Sequence, residues 1–313
     1  MTTTLTPLAG LIAAIVAFLG AGSLASWLLH ARTGSPARAR LARNLSKRVR
    51  AWWLMAAILG LAFVAGKAGI VLLCALLSIL ALREFLALTG ARPADHGGLA
   101  LLSYGLVPLQ YALIWFDRAG IAVILLPVYG FLALPVLTAL KGDVTDFFGR
   151  TAKIQFAAML CVYALSYLAA PVMLDIGPMA DRLGLIAWAA FTVQMSDVLQ
   201  YVCGKLIGRH PVAPALSPAK TWEGLVGGVA LTVLLAILLH GLTPFGLWRA
   251  GLIALTLTLA GFLGGLVMSA IKRDRGLKDW GRSLPGHGGL LDRLDSLLFS
   301  APLLYHITNF WWG

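Results

Sequence analysis

The feature that most constrains this chain is a series of apolar runs, each near the ~20 residues that an α-helix needs to cross a bilayer. Hydrophobic residues make up 59% of the chain and charged residues only 12%. Soluble domains lack this balance. The sequence therefore predicts an all-α, polytopic integral membrane protein with about nine to ten transmembrane helices. The runs occupy residues 7–30, 52–66, 68–88, 98–116, 119–140, 151–174, 183–203, 223–243, 248–271 and 295–311.

Basic residues collect in alternate loops between these runs, as expected when Lys and Arg stay on the cytoplasmic side. Of 25 basic residues, the opposite side carries only Lys67, Arg118, Arg182 and Arg249. This asymmetry favours ten helices in the cell (inner) membrane, with both termini outside. The net charge of +12 then reflects topology and attraction to anionic membrane lipids, and no nucleic-acid partner is expected.

Two regions are predicted along the chain. Residues 1–180 form an N-terminal transmembrane region with a basic cytoplasmic loop at 31–51, and residues 181–313 form a C-terminal transmembrane catalytic region. The basic loop is typical of a topology signal, and the alternative is a juxtamembrane helix that binds lipid. The first apolar run lacks a basic segment before it, so we interpret it as a retained membrane helix.

Residues suited to binding or catalysis lie in two segments on the predicted cytoplasmic side. The first segment runs from Ser196 to Gly224. Asp197 lies inside an apolar run, so as an anion it has to face a cavity, a metal or a cation. Tyr201 and Lys205 follow at spacings of four and share its helix face. Ordinary capping in a positive-inside loop explains this segment as well as an anion site at a helix entry does. The residues at that entry are Arg209, Ser217, Lys220, Thr221 and Glu223.

The second segment, from Ser269 to Asp295, follows an apolar run directly. Asp292 and Asp295 are spaced i, i+3 at the start of the last helix, so their carboxylates are predicted to lie side by side. Two such anions repel unless a divalent ion lies between them, and Mg²⁺ is typically held by one or two carboxylates plus phosphate oxygens. A solvated loop with surface ion pairs is the alternative. Nearby residues suited to phosphate are Lys272, Arg273, Lys278, Gly286, His287, Gly288 and Gly289.

Together the two segments resemble the signature of the phosphatidate cytidylyltransferases, also called CDP-diacylglycerol synthases. The downstream part of the resemblance rests on Lys272-Arg273, Lys278-Asp279, Leu284-Pro285, His287-Gly288-Gly289-Leu290 and Asp292-Arg293-Leu294-Asp295. The upstream part rests on Asp197, Tyr201, Gly204, Lys205, Gly208, Ser217-Pro218 and Lys220-Thr221-Trp222-Glu223-Gly224. Glu84 lies where the family tends to have an acidic residue at the end of an early helix. Gln200 departs from the pattern, in which a small residue precedes the tyrosine, and this allows an altered lipid or pocket.

The resemblance implies that phosphatidic acid and CTP condense, with Mg²⁺, to CDP-diacylglycerol and pyrophosphate on the cytoplasmic face, and it implies a homodimer. We assign Asp197, Asp292 and Asp295 to one or two metal ions, with Asp279 as a further candidate. His287 is expected to support the glycine turn or to touch phosphate. The residues expected to hold CTP or the lipid headgroup are Lys205, Ser217, Lys220, Thr221, Lys272, Arg273, Lys278, Gly288 and Gly289.

Two alternatives to this reaction stay open. One is a cytidylyltransferase that uses CTP with another lipid phosphate. The other is an ion-coupled transporter in which Asp197 binds the coupling ion, although no pair of broken helices in corresponding halves indicates an inverted repeat. The CDP-alcohol phosphotransferases are disfavoured because their DGxxAR-type motif is absent from the sequence.

Overall fold

The computed structural model describes residues 5–31, 36–281 and 288–312. Within these ranges the chain is built from helices and one small antiparallel hairpin of strands β1 (Pro211–Ala213) and β2 (Ser217–Thr221). The helices are α1 (Leu5–Ala31), α2 (Pro36–Val64), α3 (Gly66–Thr89), α4 (His96–Ala100), α5 (Val107–Trp115), α6 (Ala119–Ile124), α7 (Phe131–Ala139), α8 (Phe147–Ala157), α9 (Met179–Ile207), α10 (Trp222–Leu238), α11 (Leu247–Asp274) and α12 (Leu291–Trp312).

Most predicted apolar runs fall on one helix or on helical segments joined end to end, but a turn at 167–169 interrupts the run at 151–174, and the run at 223–243 continues past the end of α10 at Leu238. Two apolar helices, Val49–Val64 and Trp222–Leu238, are only 10–17 residues long. The all-α membrane class is confirmed, whereas the number of nine to ten spans stays a prediction. Four helical stretches of the described residues are long and apolar enough to cross a membrane: Gly66–Leu88, Pro93–Trp115, Ala119–Ala139 and Leu247–Asp274.

Wider π turns carry the chain through two prolines. The π segment Leu101–Leu106 joins α4 to α5 just before Pro108, and the π segment Leu125–Gly130 joins α6 to α7 and contains Pro127. Proline lacks an N–H and its ring crowds the carbonyl four residues earlier, so a regular α-helix kinks or breaks at this residue. A π turn changes the hydrogen-bond spacing locally, and the helical path continues across each apolar run.

The basic stretch predicted as a loop at 31–51 is helical from Pro36 onwards. Helix α2 runs without a break from Pro36 through the basic residues to Val64. Proline suits the first helical position because its missing N–H would have no partner there. Trp53 of α2 donates its indole N–H to Ser23 Oγ of α1 at 3.0 Å. Lipid binding by the basic stretch at 31–51 stays a prediction.

Glycines let α9 and α10 approach closely beside the hairpin. A Cβ at Gly224 would lie 2.8 Å from the carbonyl oxygen of Gln200 and 2.9 Å from the Cα of Gly204. A Cβ at Gly228 would overlap the backbone of Gln200. Thr221 caps α10 by accepting a hydrogen bond from the Gly224 N–H at 3.1 Å. The end of β2 is therefore fixed against the α9 helix.

One buried core extends from Ala62 to Tyr305, so residues 1–180 and 181–313 share it. Trp188 of α9 is fully buried and donates its indole N–H to the Ala236 carbonyl at 2.9 Å. Ser300 of α12 donates to the Leu257 carbonyl of α11 at 2.8 Å. Helices α9 to α12 therefore form a packed unit that supports the start of α12.

A buried ion pair joins α8 to the residue that precedes α4. Arg150 Nε of α8 lies 3.1 Å from Asp95 Oδ1, and both side chains are at most 5% exposed. Arg150 Nη1 also donates to Asp143 Oδ2 at 2.6 Å and to the Thr145 carbonyl at 2.8 Å. Sequence reasoning missed this cluster because no periodic spacing relates Arg150 to Asp95 or Asp143.

The close approach of α9 and α10 predicts that Gly228→Ala destabilises the protein by about 1–3 kcal/mol, because the added methyl group overlaps backbone that cannot move cheaply. Thermal unfolding in detergent measures the loss. Gly60→Ala is the matched control, since a Cβ at this helical glycine meets nothing within 4 Å. Equal melting temperatures for the two variants would contradict the packing described.

Candidate active site

Charged side chains from four elements meet near the start of α12. Helix α9 contributes Asp197, strand β2 contributes Lys220, and the last turn of α11 contributes Lys272. The first turns of α12 contribute Asp292 and Asp295. Residues that are far apart in the sequence therefore form one cluster, which we call the acidic site.

Ser296 holds two carboxylates of the acidic site in place. Its hydroxyl donates to Asp197 Oδ2 at 2.8 Å, and its backbone N–H donates to Asp295 Oδ1 at 2.9 Å. Asp197 and Asp295 lie close enough to repel each other. Ser296 itself is buried. Two like charges are thus kept together in a poorly solvated place, where a cation has a strong effect.

Lys220 is the cation that interacts with both of these carboxylates. Burial lowers the pKa of the Lys220 ammonium, and the charges of Asp197 and Asp295 oppose that shift. The ammonium lies 4.8 Å from the ring centroid of Phe262 and 3.4 Å from its carbonyl oxygen. A Cβ at Gly265 would lie 2.6 Å from Lys220 Nζ, so glycine leaves room for the ammonium.

Asp292 has a different set of partners. Lys272 Nζ donates to Asp292 Oδ1 at 2.7 Å, with side chains 11% and 7% exposed. Asp292 Oδ2 accepts hydrogen bonds from the backbone N–H groups of Trp280, at 2.8 Å, and Gly289, at 3.0 Å. Asp292 therefore ties the end of α11 to both sides of the segment that precedes α12.

Glu84 reaches the same segment from α3. Its Oε2 accepts the Leu291 N–H at 2.8 Å and its Oε1 accepts the Leu290 N–H at 3.2 Å. The sequence marked Glu84 only through the family resemblance, because no spacing connects it with residues so much later in the chain. The contact itself was not predicted.

Several of the predicted phosphate-binding residues contact the protein itself. Thr221 caps α10, and Ser217 begins β2. Arg273 donates to the Leu216 carbonyl at 3.2 Å and to the Leu277 carbonyl at 2.7 Å, which joins the hairpin to the end of α11. Lys205 is exposed and lies 5.9 Å from the ring centroid of Tyr201.

The remaining predicted residues lie just before or just after residues 282–287, which are outside the described ranges. Lys278 and Asp279 are exposed just after α11. Gly288 has a φ of 84°, a left-handed conformation that favours glycine, and Gly289 is buried beside Glu84. His287 lies outside the described residues.

The acidic site fits a hard divalent cation only in part. No group of three or more His, Cys, Asp or Glu side chains is arranged to hold a metal ion within residues 5–31, 36–281 and 288–312. Asp197 and Asp295 do form a close pair, which matches the one or two carboxylates that Mg²⁺ takes alongside phosphate oxygens. Asp292 is occupied by Lys272 and two amides.

Comparisons with known proteins identify the family of the chain. The sequence model of the cytidylyltransferase family matches residues 46–311. The chain is 36% identical to the Escherichia coli "Uncharacterized protein YnbB" over 286 residues, 91% of each chain. It is 32% identical to a Staphylococcus haemolyticus phosphatidate cytidylyltransferase over 76% of this chain and 89% of the relative. It is also 47% identical to a Mycobacterium leprae phosphatidate cytidylyltransferase over 39% of each chain.

The buried pair of Lys272 and Asp292 predicts strong coupling in a double-mutant cycle. Lys272→Met or Asp292→Asn alone should cost about 3–5 kcal/mol of unfolding free energy, because the partner loses its compensating interaction while still buried. The double variant should cost much less than the sum. The more exposed pair of Lys67 and Asp117, 2.7 Å apart, is the control and should couple by about 0–1 kcal/mol. Additive effects at Lys272 and Asp292 would refute the pairing.

Proposed function

The chain belongs to the cytidylyltransferase family, and on this premise we propose that it transfers CMP from CTP to phosphatidic acid, giving CDP-diacylglycerol and pyrophosphate. A phosphate oxygen of the lipid attacks the α-phosphorus of CTP, and the bond from that phosphorus to the bridging oxygen breaks as pyrophosphate leaves. The observation that carries the proposal is the cluster of Asp197, Asp295 and Lys220 around Ser296, in a membrane protein of this family.

The nucleophile in this reaction needs little help from a general base. A phosphomonoester carries about −1.5 to −2 charges near neutral pH, so the attacking oxygen is already anionic. The barrier lies in bringing one anion to another and holding the attacking and leaving oxygens in line. Residues that supply positive charge and fixed geometry are therefore the ones that the reaction requires.

We assign the buried cations to phosphate and the carboxylates to metal. Lys220 would contact phosphate from its place beside Asp197 and Asp295, and Lys272 would do so from the end of α11. Asp197 and Asp295 would hold Mg²⁺, and Asp292 would join them after its ion pair with Lys272 opens. Mg²⁺, when bound, would neutralise charge on the phosphate oxygens.

The other predicted residues have supporting roles in this proposal. Thr221 and Arg273 shape the hairpin that presents Lys220, since both make contacts within the protein. Lys205, Lys278 and Asp279, which are exposed, would meet ligand at the rim of the site. We place the site on the cytoplasmic face of the cell membrane, where the basic loops are predicted to lie.

The range of lipid phosphates that the protein accepts is a separate question from the reaction itself. Gln200 donates to Ser196 Oγ at 2.6 Å, one helical turn from the acidic site, where the family pattern has a small residue. Purified protein should therefore be assayed with labelled CTP, Mg²⁺ and a panel of lipid phosphates. Label in an organic-extractable product supports a cytidylyltransferase and identifies the acceptor. An ion-coupled transporter would give no such product.

The carboxylate assignment predicts that Asp197→Asn and Asp295→Asn each lower kcat for CDP-lipid formation by more than about 100-fold, because each removes a carboxylate that would hold the cation, and the cation would offset the developing negative charge. Asp292→Asn completes the set of variants, with the same expected loss. Asp274→Asn is the matched control, since Asp274 is exposed and pairs with Arg275 at 3.2 Å. Near-normal turnover of Asp197→Asn or Asp295→Asn would exclude the metal assignment.

The position of Lys220 predicts a loss of about 100-fold in kcat/KM for CTP in Lys220→Met, because a buried cation next to the reacting phosphates is removed. Steady-state kinetics in detergent measure this loss. Lys153→Met serves as the control, since Lys153 is more exposed and lies 3.7 Å from Asp146. If both variants keep wild-type kcat/KM, Lys220 does not bind substrate.

A further inference from the structure

We propose that Glu84 is a positioning residue that sets the start of α12, and with it the carboxylates of the acidic site. The inference rests on the proposed function, since it concerns the same site. The sequence predicted a catalytic region at residues 181–313. Glu84 lies outside that region, in α3, and the inference adds it to the residues that shape the site. Glu84 acts through backbone amides and does not touch the reacting atoms.

The geometry is that of a helix cap supplied from a distant element. The first N–H groups of a helix have no partner within it, and a carboxylate at this end is favoured by the helix dipole. Glu84 Oε2 accepts from the Leu291 N–H at 2.8 Å and Oε1 from the Leu290 N–H at 3.2 Å. Each oxygen therefore holds one amide, and the direction of the first turn of α12 is fixed by both.

Two glycines make space for this carboxylate. A Cβ at Gly289 would lie 2.5 Å from Glu84 Oε1, and a Cβ at Gly281 would overlap the same oxygen. The chain therefore has glycine at both positions, 281 and 289, where it comes close to the Glu84 carboxylate. Gly289 is among the residues that carry the family resemblance, and the space that Glu84 needs gives a physical reason for glycine there.

The residue next to Glu84 holds the same segment by stacking. Phe85 packs on the fully buried Trp280 with ring centroids 5.2 Å apart and planes 24° from parallel. The Trp280 N–H donates to Asp292 Oδ2. Consecutive residues of α3 thus contact both the start of α12 and Trp280.

A shift at this start would move the acidic site directly. Asp292 follows Leu291 in the chain, and Asp295 lies one turn further along the same helix. Asp295 in turn shares Ser296 with Asp197. Misplacing a reacting group by about 1 Å can cost about 100-fold in rate. Loss of Glu84 should therefore lower kcat without removing any group that contacts substrate.

The experiment compares Glu84→Ala and Glu84→Gln with Asp95→Asn in purified full-length protein. Glutamine keeps one acceptor oxygen, so it should preserve one of the two bonds and partly restore activity. Asp95→Asn removes a buried ion-pair partner of Arg150 and controls for lost stability. The readouts are melting temperature, amide hydrogen exchange of residues 288–296, and the kcat and KM for CTP with labelled CTP and phosphatidic acid.

Glu84→Ala should lower kcat by about 100-fold with little change in KM and should speed exchange at residues 290 and 291, while Glu84→Gln falls between it and wild type. Asp95→Asn should melt earlier with nearly normal kcat. Wild-type kcat in Glu84→Ala, unchanged exchange at 290–291, or a kcat loss equal to that of Asp95→Asn at matched melting temperature would overturn the inference. Failure of the proposed function is distinct, since wild-type protein would then form no CDP-lipid, and that result would remove the inference as well.

Discussion

The acidic site depends on compensation of charge in a membrane protein. Carboxylates and ammonium groups are costly to remove from water unless each has a partner with good geometry. The pair of Lys272 and Asp292 meets this condition through a 2.7 Å contact and two further backbone donors to Asp292. Asp197 and Asp295 meet it through Ser296 and Lys220. Each of these charged side chains needs a partner from another element. This need keeps α9, β2, α11 and α12 next to one another.

Close helix packing supplies the rigidity that such a site needs. Backbone contact between α9 and α10 at Gly224 and Gly228 leaves little freedom for β2, whose Lys220 precedes the α10 cap. Glycine at position 265 then admits the ammonium beside α11. These glycines leave enough space for the ammonium of Lys220, which is carried by β2, to lie among the helices. Functional groups on rigid elements hold their geometry better than groups on free loops.

The sequence predicted the class of protein and named several residues that lie together near the start of α12, but it could not predict how those residues pair. Apolar runs near 20 residues favour helices, so most of the predicted runs are helical, although turns interrupt the runs at 151–174 and 223–243. The spacing of Asp292 and Asp295 put both on the first turns of α12, as helical periodicity requires. Pairing is a tertiary property. Asp292 with Lys272, Glu84 with Leu291, and Arg150 with Asp95 join positions whose separation carries no periodic signal.

The charge balance of the acidic site bears on how it can accept a nucleotide. Asp197, Asp292 and Asp295 face two lysines, and the exposed Arg293 also interacts with Asp197. The described site is therefore close to neutral before any ligand enters. A triphosphate and a lipid phosphate together would leave it strongly negative, and like charges at such distances in a poorly solvated place repel by several kcal/mol. This repulsion supports the proposal that Asp197 and Asp295 would hold Mg²⁺ and that Lys220 and Lys272 would contact phosphate, since both would add positive charge beside the substrates.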